Sequence, residues 1–365
     1  MSDEQPAALK EIFDRARMRF FADETKAIWP PFDADRFYAL ATTGLDERGI
    51  MQRMRLAAEA FDATLPADYG EALRILSELA PRLRHGFASI TLCEFVVLRG
   101  MDDFDRSMDA LRLFTRYGSA EFAVRHFLDR DPDRTLAVMR AWALDENEHV
   151  RRLASEGSRP RLPWSFRFRQ AITDPSLTLP ILDRLKADPS LYVRKSVANH
   201  LNDIGKDHPD WLVERLADWP REDAATAWIV RHALRSLIKK GDPRALALVG
   251  ASARAEVRVE AFTVDPARVR LGAHVAIGAE IISTSKHPQH LVVDYAVHYV
   301  KKGGAPSRKV FKLRKFDLPP DGRQPLSIRR AIRDFTTRKH YAGHHRVELL
   351  VNGEVLAQGG FELSM

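Results

Sequence analysis

From the N-terminus to about Ala253, apolar residues recur at three- and four-residue spacing, as in MQRMRLAAEAFDATL, YGEALRILSELAPRL and DRTLAVMRAWAL. That period marks one face of an amphipathic helix, so the region is predicted to be helical throughout. The turns DPDR, ADPS and KGDPR separate the helices, with Asp as a helix cap and Pro where a first-turn N–H has no partner. After Arg254 the period becomes two. VRVEAFTV, AHVAIGAEIIST, HLVVDYAVHYV, SRKVFKLRKF, PLSIRRAI and RVELLVNGEVLAQGGFEL read as six or seven short strands, and Asn352-Gly353 is the strongest hairpin signal among them.

A repeat runs through the helical part. Val124-Arg125-His126, Val150-Arg151-Arg152, Val193-Arg194-Lys195 and Val230-Arg231-His232 each lie early in a helix, and DENEHVRRLA aligns with DPSLYVRKSVA. Paired helices that cannot bury their apolar faces alone stack into a solenoid, and this is the HEAT-like pattern. The expected architecture is an all-α HEAT-like-repeat solenoid over residues 1–253, followed by an all-β immunoglobulin-like sandwich over 254–365 without the Cys–Trp–Cys set of antibody domains. Each Val-Arg pair has a packing interpretation, with valine in the core and arginine on a neighbouring turn's carboxylate. Repeated on successive helices, the basic residues would also line a concave face, the surface that solenoids use for binding.

With 365 residues and 45% hydrophobic content the chain is long enough for two domains. It has no uninterrupted apolar run of about 18 residues, and its start, MSDEQPAALKEIF, is acidic rather than leader-like, so a cytoplasmic protein off the membrane is expected. Cys93, in ITLCEFVVL, is the sole cysteine, which rules out an internal disulfide and suggests an inert buried thiol. The net charge of +7 is unevenly placed: from Arg254 onward there are 19 Lys and Arg against 11 Asp and Glu, so the excess belongs to the C-terminal part. Basic residues cluster in KKGGAPSRK, KLRK, RRAIRDF and TTRKHYAGHHR, with Phe and Tyr interleaved, a pattern that fits a phosphate backbone.

Most enzyme signatures are missing: there is no P-loop, dinucleotide fingerprint, G-x-S-x-G or H-E-x-x-H. His344-His345 are neighbours on a predicted strand and so point to opposite faces, which disfavours a shared metal. What remains is a set of carboxylates with aromatic neighbours in a cationic setting. Glu121, Glu156 and Asp203 fall on three consecutive repeats and could converge on one groove. On spacing alone, helix-start and turn roles are the better account of Glu121 and Asp203. Glu156 lies among Arg151, Arg152, Arg159 and Arg161, where a negative charge opposes DNA binding unless positive charge develops nearby during a reaction. Cleavage of an N-glycosidic bond is such a reaction, because the sugar becomes oxocarbenium-like.

The stretch HVRRLASEGSRPRLPW, set within HEAT-like repeats, resembles the bacterial alkylpurine DNA glycosylases of the AlkC and AlkD superfamily, and the AlkC branch in particular. The resemblance covers most of residues 1–253, and part of that branch carries an immunoglobulin-like C-terminal domain. It implies hydrolytic release of cationic alkylated bases, 3-methyladenine and 3-methylcytosine, from duplex DNA by a monofunctional, monomeric enzyme without cofactor or metal and without flipping the base into a pocket. Bulkier 7-substituted purines are less expected. Glu156 and Glu121 would face the lesion's deoxyribose and Trp164 would stand against that sugar, with Asp203 a weaker catalytic assignment. Arg152, Arg159, Arg161, Arg194, Lys195, Arg231, Lys312, Arg314 and Lys315 would hold DNA. Trp228 reads as a core residue or as a second aromatic face. The competing readings are a non-catalytic HEAT-repeat scaffold for nucleic acid and an adaptor for an acidic protein.

Overall fold

A computed structural model describes residues 9–251, 255–335 and 339–365. The extreme N-terminus, the expected domain junction at Ala253 and Arg254, and Thr336–Arg338 of the last basic cluster lie outside them. Close contacts divide the chain into two compact units, Met1–Asp207 and His208–Met365. The change from helix to strand falls between the helix Pro243–Leu248 and the strand Val257–Asp265, so the second unit contains both the last helices and all the strands.

The first unit is helical throughout its described residues. Its caps follow the sequence signals, with one shift. Asp131 accepts the Arg134 N–H at 3.2 Å and Pro132 opens that helix. In ADPS the cap is Ser190, which accepts from the Tyr192 N–H, while Asp188 accepts from the Ser190 N–H at 2.8 Å. The freed carboxylate of Asp188 takes Arg151 from the preceding repeat at 2.7 Å, and Asp145 in turn takes Arg112. The repeat is therefore also a repeat of ion pairs. Arg151 and Arg194 donate to the carbonyls five and six residues back, at 2.7–2.9 Å, so each clips the turn that begins its own helix. Val124, Val150, Val193 and Val230 are all buried, as the repeat requires.

The second unit begins with short helices, Pro209–Ala217, Ala224–Ala233, Arg235–Lys240 and Pro243–Leu248. Asp242 caps the last of these, accepting from the Arg244 and Ala245 N–H groups, as KGDPR suggests. Among the described residues eight strands follow: β1 (Val257–Asp265), β2 (Arg268–Arg270), β3 (His274–Ser283), β4 (Gln289–Tyr299), β5 (Ser307–Leu318), β6 (Arg323–Ala331), β7 (Gly343–Val351) and β8 (Glu354–Ser364). They form a three-stranded sheet, β1-β3-β6, and a five-stranded sheet, β2-β8-β7-β4-β5. Val275, Ile277 and Ile281 of the first interleave with Tyr295, Val347, Leu349 and Phe361 of the second to make the sandwich core. The eighth strand, β2, is three residues long and too short to display a period in the sequence. Asn352 and Gly353 turn β7 into β8 with φ of 48° and 83°, the left-handed pair that a two-residue hairpin needs.

Among the described residues no helix is long and apolar enough to cross a membrane. Cys93 is fully buried, and burial pushes its thiol up, away from the reactive thiolate. His344 is exposed and His345 is completely buried, so the adjacent pair does face opposite ways.

Candidate active site

The helix Glu148–Gly157 positions the central residues. Asn147 caps it by accepting the His149 N–H at 2.9 Å, and Val150, Leu153, Ala154 and Gly157 form its buried side. Gly157 is required by packing: a Cβ there would stand 2.5 Å from a methyl of Val124. Arg152 and Glu156 lie one turn apart on the same side of this helix, so their side chains meet.

They belong to a chain of alternating charge. Arg152 donates to Glu121 and to the Ser119 hydroxyl, which itself donates to Glu121 at 2.7 Å. The Arg152 guanidinium is 3.7 Å from Glu156, and Arg159 donates to Glu156 at 2.6 Å. Arg159 also reaches Asp203 at 2.8 Å, and Lys206 closes the series on Asp203 at 2.7 Å. Three carboxylates and three cations thus alternate across Glu121, Arg152, Glu156, Arg159, Asp203 and Lys206. Burial alone would lower the pKa values of Arg152 and Arg159, but the carboxylates outweigh it and hold both above the ordinary value.

Glu121, Glu156, Arg152, Trp164, Tyr192 and His149 line one pocket of about 500 Å³. Asp203 does not line it: only 2% exposed, it meets the pocket residues through Arg159. Trp164 stands 62% exposed, its ring roughly perpendicular to that of Phe87 with 6.2 Å between ring centres. Its φ of 63° is a left-handed conformation that a bulky residue adopts only when its surroundings impose it. Arg125 imposes the turn. Completely buried, it donates to the carbonyls of Gly157 at 3.0 Å, Arg159 at 2.8 Å and Phe166, three points on the segment that presents Trp164.

Arg125 is the largest departure from the sequence expectation, which placed each Val-Arg arginine on a carboxylate or a binding face. Arg159, expected on DNA, is 8% exposed and committed to Glu156 and Asp203. Arg161, also expected there, holds Asp207 at 2.6 Å, and Arg194 clips its own turn, whereas Lys195 is exposed. Trp228 is half-buried rather than a core residue, stacked on His232 at 3.8 Å between ring centres.

Comparison with known proteins bears on this arrangement. Residues 115–237 match the family described as DNA alkylation repair enzyme, and residues 258–365 match the C-terminal Ig-like domain of the uncharacterised protein YhaZ. The chain is 40% identical over 351 residues to the uncharacterized protein YhaZ of Bacillus subtilis, covering 96% of this chain and 97% of that one. It is 55% identical to the alkylpurine DNA glycosylase AlkC of Pseudomonas fluorescens, solved bound to DNA containing an abasic site analog, with a TM-score of 0.96 over 98% of this chain and 100% of that one. The chain belongs to the AlkC family.

All the residues expected in AlkC-type catalysis, Glu121, Glu156, Trp164 and Asp203, fall inside the stretch matched as a DNA alkylation repair enzyme. Among the pocket residues that escaped the sequence reading are Tyr192 and His149. Tyr192 lies beneath the Arg152 guanidinium at 5.1 Å from the ring centre, and His149 meets Tyr192 edge-on at 5.5 Å. A signal for both exists in the aligned repeats, where each precedes the buried valine, at His149-Val150 and Tyr192-Val193. A residue next to a core valine on a helix lies about 100° away from it, which turns these rings toward the pocket.

Proposed function

We propose that this AlkC-family protein is a DNA repair glycosylase that hydrolyses the N-glycosidic bond of cationic alkylated bases in duplex DNA, 3-methyladenine and 3-methylcytosine foremost. The observation that carries the reading is the juxtaposition of Glu121 and Glu156 with an exposed Trp164 around one pocket. Family membership supports it, as does the partner of the similar Pseudomonas fluorescens protein: an abasic site is what remains when a base is released.

A base methylated at N3 already carries positive charge and leaves without being protonated. The demand on the protein is then to stabilise the oxocarbenium-like sugar and to direct a water molecule at C1′. Glu121 and Glu156 already balance one cation, the Arg152 guanidinium. A sugar that becomes positive needs the same kind of partner, and either carboxylate can accept a proton from the attacking water. Trp164 offers a π face, worth about 0.5–2 kcal/mol toward a cation. Asp203 acts at one remove, fixing Arg159 and through it Glu156. Among the described residues no lysine lines the pocket, which favours the hydrolytic, monofunctional route over a Schiff base. The exposure of Trp164 favours engagement of the nucleotide at the protein surface over extrusion into an enclosed slot.

The test is base release from defined duplexes carrying 3-methyladenine, 3-methylcytosine or 7-methylguanine. Wild type should release the first two, and Glu156→Gln should slow release at least about 100-fold, or roughly 2.7 kcal/mol of barrier, with duplex affinity retained. No release by wild type, with duplex binding intact, would establish the non-catalytic scaffold instead.

A further inference from the structure

A second basic cluster lies wholly within the second unit, where the helices Ala224–Ala233 and Arg235–Lys240 meet β4 and β5. Its wall is built by a register irregularity. β4 and β5 pair Val293 with Arg314 and then Asp294 with Lys312, so Leu313 is an extra residue on β5. In an unbroken strand Lys312 and Arg314 would share a face and Lys315 would point the other way. The bulge changes the parity: Lys312 stands opposite Asp294, Lys315 stands opposite Val292, and both lie on one face, while Arg314 goes to the other.

On that face the two lysines enclose a pocket of about 230 Å³ with Arg231, Arg235 and Lys239 from the helices, and Asp294 forms part of its wall. Lys239 is fixed there by a hydrogen bond to the Val310 carbonyl at 3.3 Å. The helical side is seated on the sheet at its end, where the backbone of Gly241 touches that of Gly353: a Cβ on Gly353 would stand 2.1 Å from the Gly241 Cα, and one on Gly241 3.3 Å from the Gly353 backbone. Five cations thus surround one carboxylate, an excess of positive charge held on fixed elements. Burial lowers the Lys315 pKa, and Arg231 and Lys312, which repel its charge, lower it further.

We propose that Arg231, Arg235, Lys239, Lys312 and Lys315 form a phosphate-oxyanion site that receives one phosphodiester of the DNA backbone, with Asp294 limiting its strength. The assignment rests on the DNA-binding reading above and narrows it, replacing a general basic strand with one site that excludes Arg314. A buried carboxylate among the lysines offsets part of their charge, and keeps a single phosphate from binding so tightly that the duplex cannot be released. The bulge is the device that makes the site, because it puts two lysines spaced three apart on one face of a strand.

The experiment measures affinity of the full chain for undamaged duplex as a function of salt. Lys312→Ala/Lys315→Ala should weaken binding and reduce the log–log salt slope by roughly one unit, the value for one lost phosphate contact. Arg314→Ala should leave the slope near wild type, and Asp294→Asn should tighten binding. Variants are compared only when their thermal midpoints match wild type, and Asp294→Asn, which acts in the opposite direction, separates a site from a general loss of fold. An unchanged slope in the double variant, or an equal loss in Arg314→Ala, would overturn the proposal. A parallel titration with inorganic phosphate tests the source. Millimolar or weaker binding supports the backbone assignment, and sub-millimolar binding abolished in a double variant that retains its duplex affinity overturns it. Base release is read separately: wild type that binds duplex without releasing base overturns the glycosylase reading while leaving the phosphate site standing.

Discussion

Arg159 joins Glu156 to Asp203: its guanidinium donates to Glu156 at 2.6 Å and reaches Asp203 at 2.8 Å, with all three side chains less than a tenth exposed. Removing one partner from a buried ion network leaves uncompensated charge, a loss of about 3–5 kcal/mol. Arg159→Ala should therefore destabilise the protein by that order in a urea titration, while leaving the salt dependence of duplex binding unchanged. A salt slope lower by about one unit with stability preserved would return Arg159 to the DNA.

Trp164 stands out to solvent on a left-handed backbone, an arrangement that core packing does not call for. If its ring faces a developing cation, Trp164→Ala should slow base release by roughly 2- to 30-fold, the equivalent of about 0.5–2 kcal/mol. Trp164→Phe should retain much of the rate, since a π face remains. Affinity for undamaged duplex should be the same in both, and an equal fall in affinity and rate would assign Trp164 to duplex binding.

Arg125 spans three carbonyls of the turn that carries Trp164. Burial, and then repulsion from Arg159, presses its pKa down to about 10, so the residue is still charged at neutral pH. A lysine has one compact ammonium and cannot reproduce a planar fork that reaches several acceptors. Arg125→Lys should loosen the turn, and acrylamide should then quench Trp164 more strongly, read as the difference between each protein and its Trp164→Phe counterpart. Unchanged quenching would show that other contacts hold the turn.

The elements and their order were legible because each period reports one buried face: Val150 with Leu153 on a helix, and Val347 with Leu349 on a strand. The carboxylates of the site were legible because Glu156 is an awkward charge among arginines. The partners of those arginines were not legible. Arg151 and Arg159 look alike in the sequence, yet one reaches Asp188, 37 residues away, and the other Asp203, 44 residues away. Which carboxylate an arginine meets depends on how successive repeats stack, and local spacing does not record it. The parity of Lys312 and Lys315 was hidden for a similar reason: a bulge is a property of two paired strands, and KLRK alone shows only one of them.

His200 lies completely buried directly beneath the Glu148–Gly157 helix, with Nδ1 2.9 Å from the Ser155 carbonyl and Nε2 3.1 Å from the Thr178 hydroxyl. A carbonyl can only accept, so the neutral ring donates from Nδ1 and accepts at Nε2. Burial lowers its pKa to about 3, far below the ordinary 6.5. Between those values the unfolded chain binds a proton that the folded chain refuses, so stability falls as the pH is lowered from about 6.5 and the loss continues toward 3. From pH 6.5 to 4.5 this one ring accounts for about 2 kcal/mol, at roughly 1.4 kcal/mol per unit once the unfolded imidazole is charged. Other groups titrate over the same range, so the measurement is a difference: urea stability of wild type and of His200→Asn at both pH values. Wild type should lose about 2 kcal/mol more than the variant. An equal loss in the two would mean that the folded ring accepts its proton at Nε2 near pH 6.5, with the Thr178 hydroxyl turning from donor to acceptor.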